Sequence, residues 1–376
     1  TGAGQGVYLA GLGGEVRNCE IHGCGGQGVF VTGLECHVRD CVVRGNGGRG
    51  IDCRPSAAAG PGSVQGNVAY GNSGHGIFVN NYNSPMEITN NLSVDNGASG
   101  IYLRQSGDLL LANNTVAGNQ LDGVYHVRTG SAGTFIYKNN IIHTDGVGRM
   151  CIHISTQGLF DYNTYYATGG AGIGYYDTGY NDTGGAYMSL GGWRADTGQD
   201  AHSLSADPRF VDPLNGDYHL MSTEGSYHGG AWLADAVSSP AIDAGDPADG
   251  TGEESEPEGG RINQGAYGGT AMASRTPFDR VLTLLEPVGG EAWDQEDNPA
   301  VRWQCTGQTW SGTETLTLAY SENDGETWTM LESTVPAAAG VYSWDLAGFP
   351  TGARYLLRIT CNEDPAASDT SASFRI

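Results

Sequence analysis

The segment Gly76-Ile77-Phe78-Val79-Asn80, followed by the pair Asn90-Asn91, decides the fold of this chain. Copies of the strand occur at Gly6–Leu9, Gly28–Val31, Gly50–Cys53, Gly100–Leu103 and Gly123–His126, and more loosely at Met150–His153. The turn that contains Asn91 recurs at Cys19, Cys41, Asn67, Asn114, Asn140 and Asn163, in steps of 22 to 26 residues. One strand and one polar turn in each such period are typical of a solenoid.

The alternation within each copy predicts a strand with one buried face, as Ile77 and Val79 alternate with Phe78 and Asn80. A single repeat cannot bury this face, but stacked repeats can, and each strand then pairs with its equivalent in the next coil. Stacking also brings together the asparagines of equivalent turns, whose side chains can bond to the backbone and to each other. We therefore expect a structural ladder of Asn67, Asn91, Asn114, Asn140 and Asn163. A second column is expected five residues later, at Cys24, Asn46, Asn72, Asn96, Asn119 and Asp145.

With these repeats the first part of the chain resembles the right-handed parallel β-helix of pectate-lyase-like proteins. The resemblance implies an all-β fold over residues 1–165. It is specific for the fold and not for an activity, since the same coil carries lyases, hydrolases, epimerases, adhesins and phage tailspikes. Thr1 begins almost directly on a finished repeat, so we expect earlier coils to precede it.

The composition limits the partners and the location. The formal net charge of −24, with 18 Lys and Arg against 42 Asp and Glu, argues against nucleic acid and anionic membranes as partners. It also disfavours a strongly anionic polymer unless Ca²⁺ bridges the two. No apolar run is long enough to span a bilayer. An acidic chain of this kind suits an extracellular or cell-surface protein.

The cysteines leave several states open. Cys53 aligns with Leu9, Val31 and Val79, which predicts an inward apolar position. Cys19 and Cys41 are stacked neighbours that could form part of a ladder or a disulfide, and the spacing leaves the states of Cys24 and Cys36 open as well. A zinc site is the alternative, but the sequence has no CxxC pair to support it.

Residues 166–275 carry motifs of a different kind. Met188–Thr197 predicts a short helix. The ordered motifs that follow include Ala206-Asp207-Pro208-Arg209-Phe210, Gly216-Asp217-Tyr218-His219-Leu220, Ser239-Pro240-Ala241-Ile242-Asp243-Ala244-Gly245 and Gly265-Ala266-Tyr267-Gly268-Gly269. This set resembles the choice-of-anchor-Q tail of secreted bacterial β-helix proteins. The resemblance implies a C-terminal cap laid over the last coil, where a sheet edge would otherwise be unpaired.

The acidic run from Asp246 to Glu258 predicts a solvated loop in this tail. Ca²⁺ is the one cofactor that the sequence suggests, and Asp243, Asp246 and Asp249 are the candidate ligands, although no EF-hand spacing supports them.

Residues 276–376 predict a separate small β-sandwich, because short alternating strands are separated by polar turns. The pattern resembles the immunoglobulin-like or fibronectin-III-like modules of bacterial surface proteins. Cys305 and Cys361 follow two separate strands and are predicted to form a disulfide in an oxidising compartment.

Residues that alternate with the buried ones on the repeated strand should point outward and form columns. The first column contains Tyr8, Phe30, Asp52, Phe78, Tyr102 and Tyr125, and the arginines Arg54, Arg104 and Arg128 are expected beside it. Such an aromatic column could bind the rings of a polysaccharide or mediate contact with other copies of the chain. Polysaccharide β-helix enzymes present their grooves in this way, as the family resemblance implies.

Enzyme motifs are incomplete. His75 lies in a Gly-His-Gly sequence that resembles polygalacturonase-like hydrolases, with only Asp52 one coil away to act as acid or base. Asp52 and Arg54 are the candidate pair for a lyase. His126 and His153 are expected to be stacked neighbours, either a partly buried structural pair or a metal-binding pair.

Three classes of function follow from these observations. The sequence favours a secreted or surface structural and adhesive protein, combined with carbohydrate binding or self-assembly through the aromatic column. The alternative is a polysaccharide lyase or glycoside hydrolase acting in a groove on the coils.

Overall fold

The computed structural model describes residues 4–55, 60–81, 84–105, 107–128, 133–177, 185–352 and 354–376. The chain divides into two compact units. The first contains the residues up to 187 together with 264–268, and the second contains 188–263 and the residues from 269 onward.

The first unit is a parallel β-solenoid, which confirms the predicted all-β fold. Each coil contributes one strand to each of three parallel sheets. The first sheet contains Val7–Leu12, Val29–Leu34, Ile51–Pro55, Ile77–Asn81, Ile101–Gln105, Val124–Arg128, Met150–Ile154 and Gly172–Tyr176. The second contains Glu15–Arg17, His37–Arg39, Gly62–Gln65, Met86–Thr89, Leu109–Ala112, Phe135–Lys138 and Leu159–Asp161. The third includes Glu20–His22, Val42–Arg44, Val68–Tyr70, Leu92–Val94, Thr115–Ala117, Ile141–Asp145 and Thr164–Thr168.

The core of the solenoid consists of the inward residues of these strands. Ile51, Ile77 and Ile101 occupy one register position and are fully buried, and Cys53 is buried beside Val79 as predicted. The glycine before each strand is required at the corner. At Gly76, a Cβ atom would lie 2.1 Å from Ser93 Oγ and 2.5 Å from Asn96 Nδ2, so no larger residue fits there.

The structure contains an asparagine ladder on the turns between the second and third sheets. The side-chain oxygen of each ladder asparagine accepts a hydrogen bond from the backbone N–H of the equivalent residue in the preceding coil, at 3.0–3.1 Å. The ladder runs through Cys41, Asn67, Asn91, Asn114, Asn140 and Asn163. The second ladder runs from Cys24 through Asn46, Asn72 and Asn96 to Asn119. Asp145 does not join it, because the strand Ile141–Asp145 continues through this position and the Asp145 carboxylate accepts from Thr168 Oγ1 instead.

The motif at Gly265 lies along the sides of the coils, whereas the sequence predicted a cap over the last coil. Gly265 N donates to Asn139 O, and Ala266 N donates to Thr115 Oγ1 at 2.9 Å. Asn90 Nδ2 donates to Ala266 O and Gly268 O. Turn groups that the coils leave unpaired are satisfied by this segment, which explains its position. At the end of the first sheet, the short strand Gly185–Tyr187 pairs antiparallel with Gly172–Tyr176.

The second unit begins with the helix Leu190–Thr197, whose N-cap Ser189 accepts from Gly192 N. Short strands follow at Leu204–Ser205, Phe210–Asp212, Asp217–Leu220, Ser226–His228 and Ala231–Leu233, with a 3₁₀ turn at Pro213–Asn215. Two antiparallel sheets then share one hydrophobic core around Trp303, Trp344 and Tyr355. Their strands are Val281–Glu286, Ala300–Thr306, Thr315–Ser321, Thr329–Pro336, Val341–Ser343, Arg354–Cys361, Ser368–Thr370 and Phe374–Arg375, with a 3₁₀ turn at Ala337–Ala339.

Candidate functional site

The outward residues of the first sheet form one row, which we call the outer row. Its members pair in register from coil to coil, because parallel strands place equivalent positions beside each other. The row consists of Tyr8, Phe30, Asp52, Phe78, Tyr102, Tyr125, His153 and Tyr175. The sequence grouped the first six of these residues but missed His153 and Tyr175.

The rings of the outer row are in continuous contact over five coils. Centroid distances are 5.4 Å from Phe78 to Tyr102, 4.9 Å from Tyr102 to Tyr125, 4.2 Å from Tyr125 to His153 and 4.7 Å from His153 to Tyr175. Tyr102, Tyr125, His153 and Tyr175 are half-buried, so one part of each ring reaches solvent. The row is therefore a strip of aromatic surface on a rigid sheet.

Asp52 interrupts the row with a buried charge. Its side chain is fully buried, and its carboxylate accepts from Arg49 Nη1 at 2.7 Å and from Arg54 Nε and Nη2 at 2.7 and 2.8 Å. The Arg49 guanidinium lies 3.6 Å from the centroid of the Phe78 ring and covers it, so that Phe78 is only 4% exposed. Asp52 and Phe78 thus belong to the outward column, as predicted, but they are buried because the two arginines lie over them.

This arrangement gives no support to a lyase pair of Asp52 and Arg54. An arginine that acts as a base must lose its proton, and the hydrogen bonds that Arg54 donates to Asp52 raise the pKa of Arg54 further. Both oxygens of Asp52 are already bound to guanidinium groups.

His75 borders the outer row but has no carboxylate among its described hydrogen-bond partners. Its ring stacks on Tyr102 at 4.6 Å and lies 6.1 Å from Phe78. Ser99 N donates to Nδ1 at 3.2 Å. Burial, together with the charge of Arg49, lowers the pKa of His75 to about 4, so the ring is neutral at pH 7. His75 therefore extends the aromatic surface.

After Asp52, His153 is the second ionisable residue of the row apart from the tyrosines. Its Nδ1 lies 3.0 Å from Asp122 Oδ2 and its Nε2 lies 3.0 Å from Asp177 Oδ1. Tyr125 OH donates to Asp177 Oδ2 at 3.4 Å. Burial opposes the charge of His153, but the two carboxylates outweigh it and raise the pKa of the imidazole. The sequence did not identify this Asp122–His153–Asp177 cluster.

The predicted stacking of His126 on His153 is wrong. His126 pairs with Ile154 and lies inside the solenoid, where it contacts the Tyr137 hydroxyl and lies 3.2 Å from Gln105 O. Burial lowers its pKa to about 4, which keeps it neutral. The coil between the two strands carries an extra turn, and a slip of one residue moves a side chain to the opposite face.

The arginines beside the row also differ in part from the prediction. Arg104 follows Tyr102 and pairs in register with Val127, whereas Arg128 pairs with the buried Gln105. In the part of the chain that the structure describes, Arg104 forms no ion pair within 4.0 Å and leaves a positive charge next to the aromatic strip.

This site could have been predicted from one sequence position, the residue immediately before the repeated glycine. Arg49, His75 and Asp122 occupy this position in three different coils, and each contacts the outer row. The polar residue at the start of each strand therefore borders the same surface.

All eight cysteines are free thiols in the structure. Cys41 Sγ donates to Arg39 O at 3.1 Å and Cys19 Sγ donates to Arg17 O at 3.2 Å, so their thiols contact turn carbonyls. Cys305 and Cys361 belong to one hydrophobic core without a bond between them, and their predicted disulfide stays a prediction. Over the described ranges, no group of three or more His, Cys, Asp or Glu side chains is arranged to hold a metal ion.

Comparison with known proteins supports the fold. Residues 36–183 match the family model of the right handed beta helix region. The solenoid is thus a right-handed parallel β-helix. No curated protein and no solved structure matched the chain. No helix in the described ranges has the length and apolar character to cross a membrane.

Proposed function

We propose that this protein is a secreted or cell-surface structural and adhesive β-helix protein that binds a polysaccharide along the outer row. The observation that carries the proposal is the unbroken contact of rings from Phe78 to Tyr175, with a solvent-facing part on Tyr102, Tyr125 and Tyr175. Contiguous aromatic surface on a rigid element indicates a contact surface.

The charges next to the row favour a polysaccharide with few or no acidic groups. Asp52 neutralises one of its two arginines, and the two carboxyl groups of Asp122 and Asp177 outnumber the one imidazole of His153. The strip therefore has a positive end near Arg54 and Arg104 and a negative end near Asp177. A uniformly anionic polymer would be repelled at the second end and by the net charge of −24.

The test is binding to a panel of immobilised glycans with the full chain. Tyr102→Ala and Tyr125→Ala should each raise the Kd by up to roughly tenfold. The contact of one aromatic ring contributes about 0.5–1.5 kcal/mol to binding, and about 1.4 kcal/mol corresponds to a tenfold change in Kd. The control is Tyr70→Ala, which removes a more exposed tyrosine ring from the third sheet. Equal losses in all three variants, or no binding by the unaltered chain, would refute the proposal. Self-association that buries the row, detected as loss of dimers in Tyr102→Ala, would assign the row to assembly.

Cleavage of the bound polysaccharide is the second candidate, and the Asp122–His153–Asp177 cluster is the observation that favours it. Asp177 keeps 36% of its side chain exposed and lies beside Tyr125 OH, so a carboxyl group and a phenol face the same part of the strip. Assays for reducing ends and unsaturated products, with and without Ca²⁺, test this candidate. Turnover that Asp177→Asn abolishes, while glycan binding remains, would establish it in place of simple binding.

A further inference from the structure

The sequence predicted that the acidic segment from Asp246 to Glu258 is a solvated loop. In the structure, this segment folds around two inward-facing carboxylates. Glu254 is half-buried, and its Oε1 accepts from Asn263 N and Gly269 N, both at 2.8 Å. One carboxylate oxygen thus joins two separate chain segments. Long loops without regular structure that are organised in this way are often functional.

Asp243 is the second carboxylate and is only 2% exposed. Its Oδ1 accepts from Thr276 Oγ1 at 2.9 Å, whereas its Oδ2 is buried and accepts no hydrogen bond. A Cβ atom on Gly259 would lie 2.2 Å from Oδ2, so the acidic loop closes directly over this oxygen. A buried carboxylate oxygen without a partner is costly and requires an explanation.

The two carboxylates are held next to the same residue. Asn263 Oδ1 accepts from Asp243 N at 2.9 Å, while Asn263 N donates to Glu254 Oε1. Neither Asp243 nor Glu254 forms an ion pair within the described ranges. Arg261 is the nearby cation, but its guanidinium donates to Gly245 O at 2.5 and 3.1 Å.

We propose that Asp243 and Glu254, together with main-chain carbonyls of the acidic loop, bind one Ca²⁺ ion. All the available donors are oxygens, which Ca²⁺ prefers, and Ca²⁺ accepts carbonyls and water in a flexible shell of six to eight ligands. Mg²⁺ requires a nearly ideal octahedron, which a loop with two carboxylates meets less well. The predicted ligand Asp246 is replaced by Glu254, because Asp246 Oδ1 accepts from Ala248 N at 2.9 Å and serves its own turn.

The ionisation of the pair agrees with this site. Burial raises the pKa of Asp243 to about 6 and that of Glu254 to about 7, and the negative charge of Glu258 adds to both effects. The hydrogen bond from Thr276, the nearby backbone N–H of Gly259 and the charge of Arg261 oppose the shift at Asp243, and the hydrogen bonds from Gly269 N and Asn263 N oppose it at Glu254. Bound Ca²⁺ would stabilise both anions.

The experiment is calorimetric titration of the EDTA-treated full chain with CaCl₂ and with MgCl₂ at about pH 8, where both groups are ionised. One Ca²⁺ should bind, and Ca²⁺ at about one hundred times its Kd should raise Tm by roughly 5 °C. Asp243→Asn and Glu254→Gln should each weaken Ca²⁺ binding by at least about tenfold and abolish the Tm increase. In EDTA both variants should be at least as stable as the unaltered chain, because each removes a like charge.

Asp196→Asn is the matched control, since it removes an exposed carboxylate on the helix Leu190–Thr197 and should leave binding unchanged. If a variant does not fold, titration of the unaltered chain still tests the site, because one Ca²⁺ should bind and Mg²⁺ should bind more weakly. Absence of Ca²⁺ binding, or equal affinity in the control and both variants, would overturn the proposal.

Discussion

Replacing one rung of the asparagine ladder should destabilise the solenoid far more than replacing a neighbouring surface amide. Asn114 is fully buried, and its Oδ1 accepts from Asn91 N at 3.1 Å and Asn91 Nδ2 at 2.9 Å. Its Nδ2 donates to Ile88 O at 2.8 Å and to Asn140 Oδ1 at 2.9 Å. Asn114→Ala removes these bonds and leaves the Asn91 N–H and the Ile88 carbonyl unpaired.

Each buried group that loses its partner costs about 1–3 kcal/mol, and the free energy of unfolding should therefore fall by about 4 kcal/mol. Urea unfolding followed by circular dichroism measures the change. Gln120→Ala is the control, because this amide is exposed and makes no side-chain hydrogen bond in the described structure, so its loss should stay within about 0.5 kcal/mol. If Asn114→Ala costs no more than Gln120→Ala, the ladder does not stabilise the coils and this reasoning fails.

Three further predictions concern the charged and sulfur-containing residues. Asp52→Ala should lower the free energy of unfolding by about 2 kcal/mol, because two partly buried guanidinium groups lose their counter-charge; an unchanged urea midpoint would contradict this. His126 has a pKa of about 4 in the folded chain and binds a proton more readily when unfolded. Its contribution to stability is therefore full above about pH 6.5 and is lost as the pH falls towards 4. Urea midpoints measured across this pH range, together with NMR titration of the His126 ring, check this direction. A His126 pKa near 6.5 in the folded chain would disprove the prediction. If Cys305 and Cys361 form their predicted disulfide under oxidising conditions, thiol titration of the denatured chain should count six of the eight cysteines, and eight reactive thiols would show that the prediction is wrong.

The solenoid was predictable because its determinants repeat in the sequence. The glycine before each strand and the asparagine in each turn return at nearly constant intervals, and both are required by the packing of one coil on the next. Six members of the outer row followed directly from the two-residue period of a strand.

The candidate site was less predictable, because it depends on register and on side-chain pairing. Val124 pairs with Ile152, a separation of 28 residues, since the turn around Val147 adds to this coil. Aligning His153 with His126 instead placed it on the wrong face. The burial of Asp52 was also not predictable from the sequence. The alternation of residues predicts on which face of the sheet a side chain lies, but it does not predict that Arg49 folds back over Asp52.

The segment Gln264–Gly268 affects how the solenoid unfolds. It makes hydrogen bonds to Asn90, Thr115, Asn139 and Tyr162, which belong to four successive coils. Linear repeat arrays ordinarily fray from one end, unit by unit. Here a segment that follows the last of these coils by about one hundred residues in the sequence is hydrogen-bonded to all four coils and joins them. They should therefore exchange their amide protons as one cooperative block, while the coils nearer Val7 open independently.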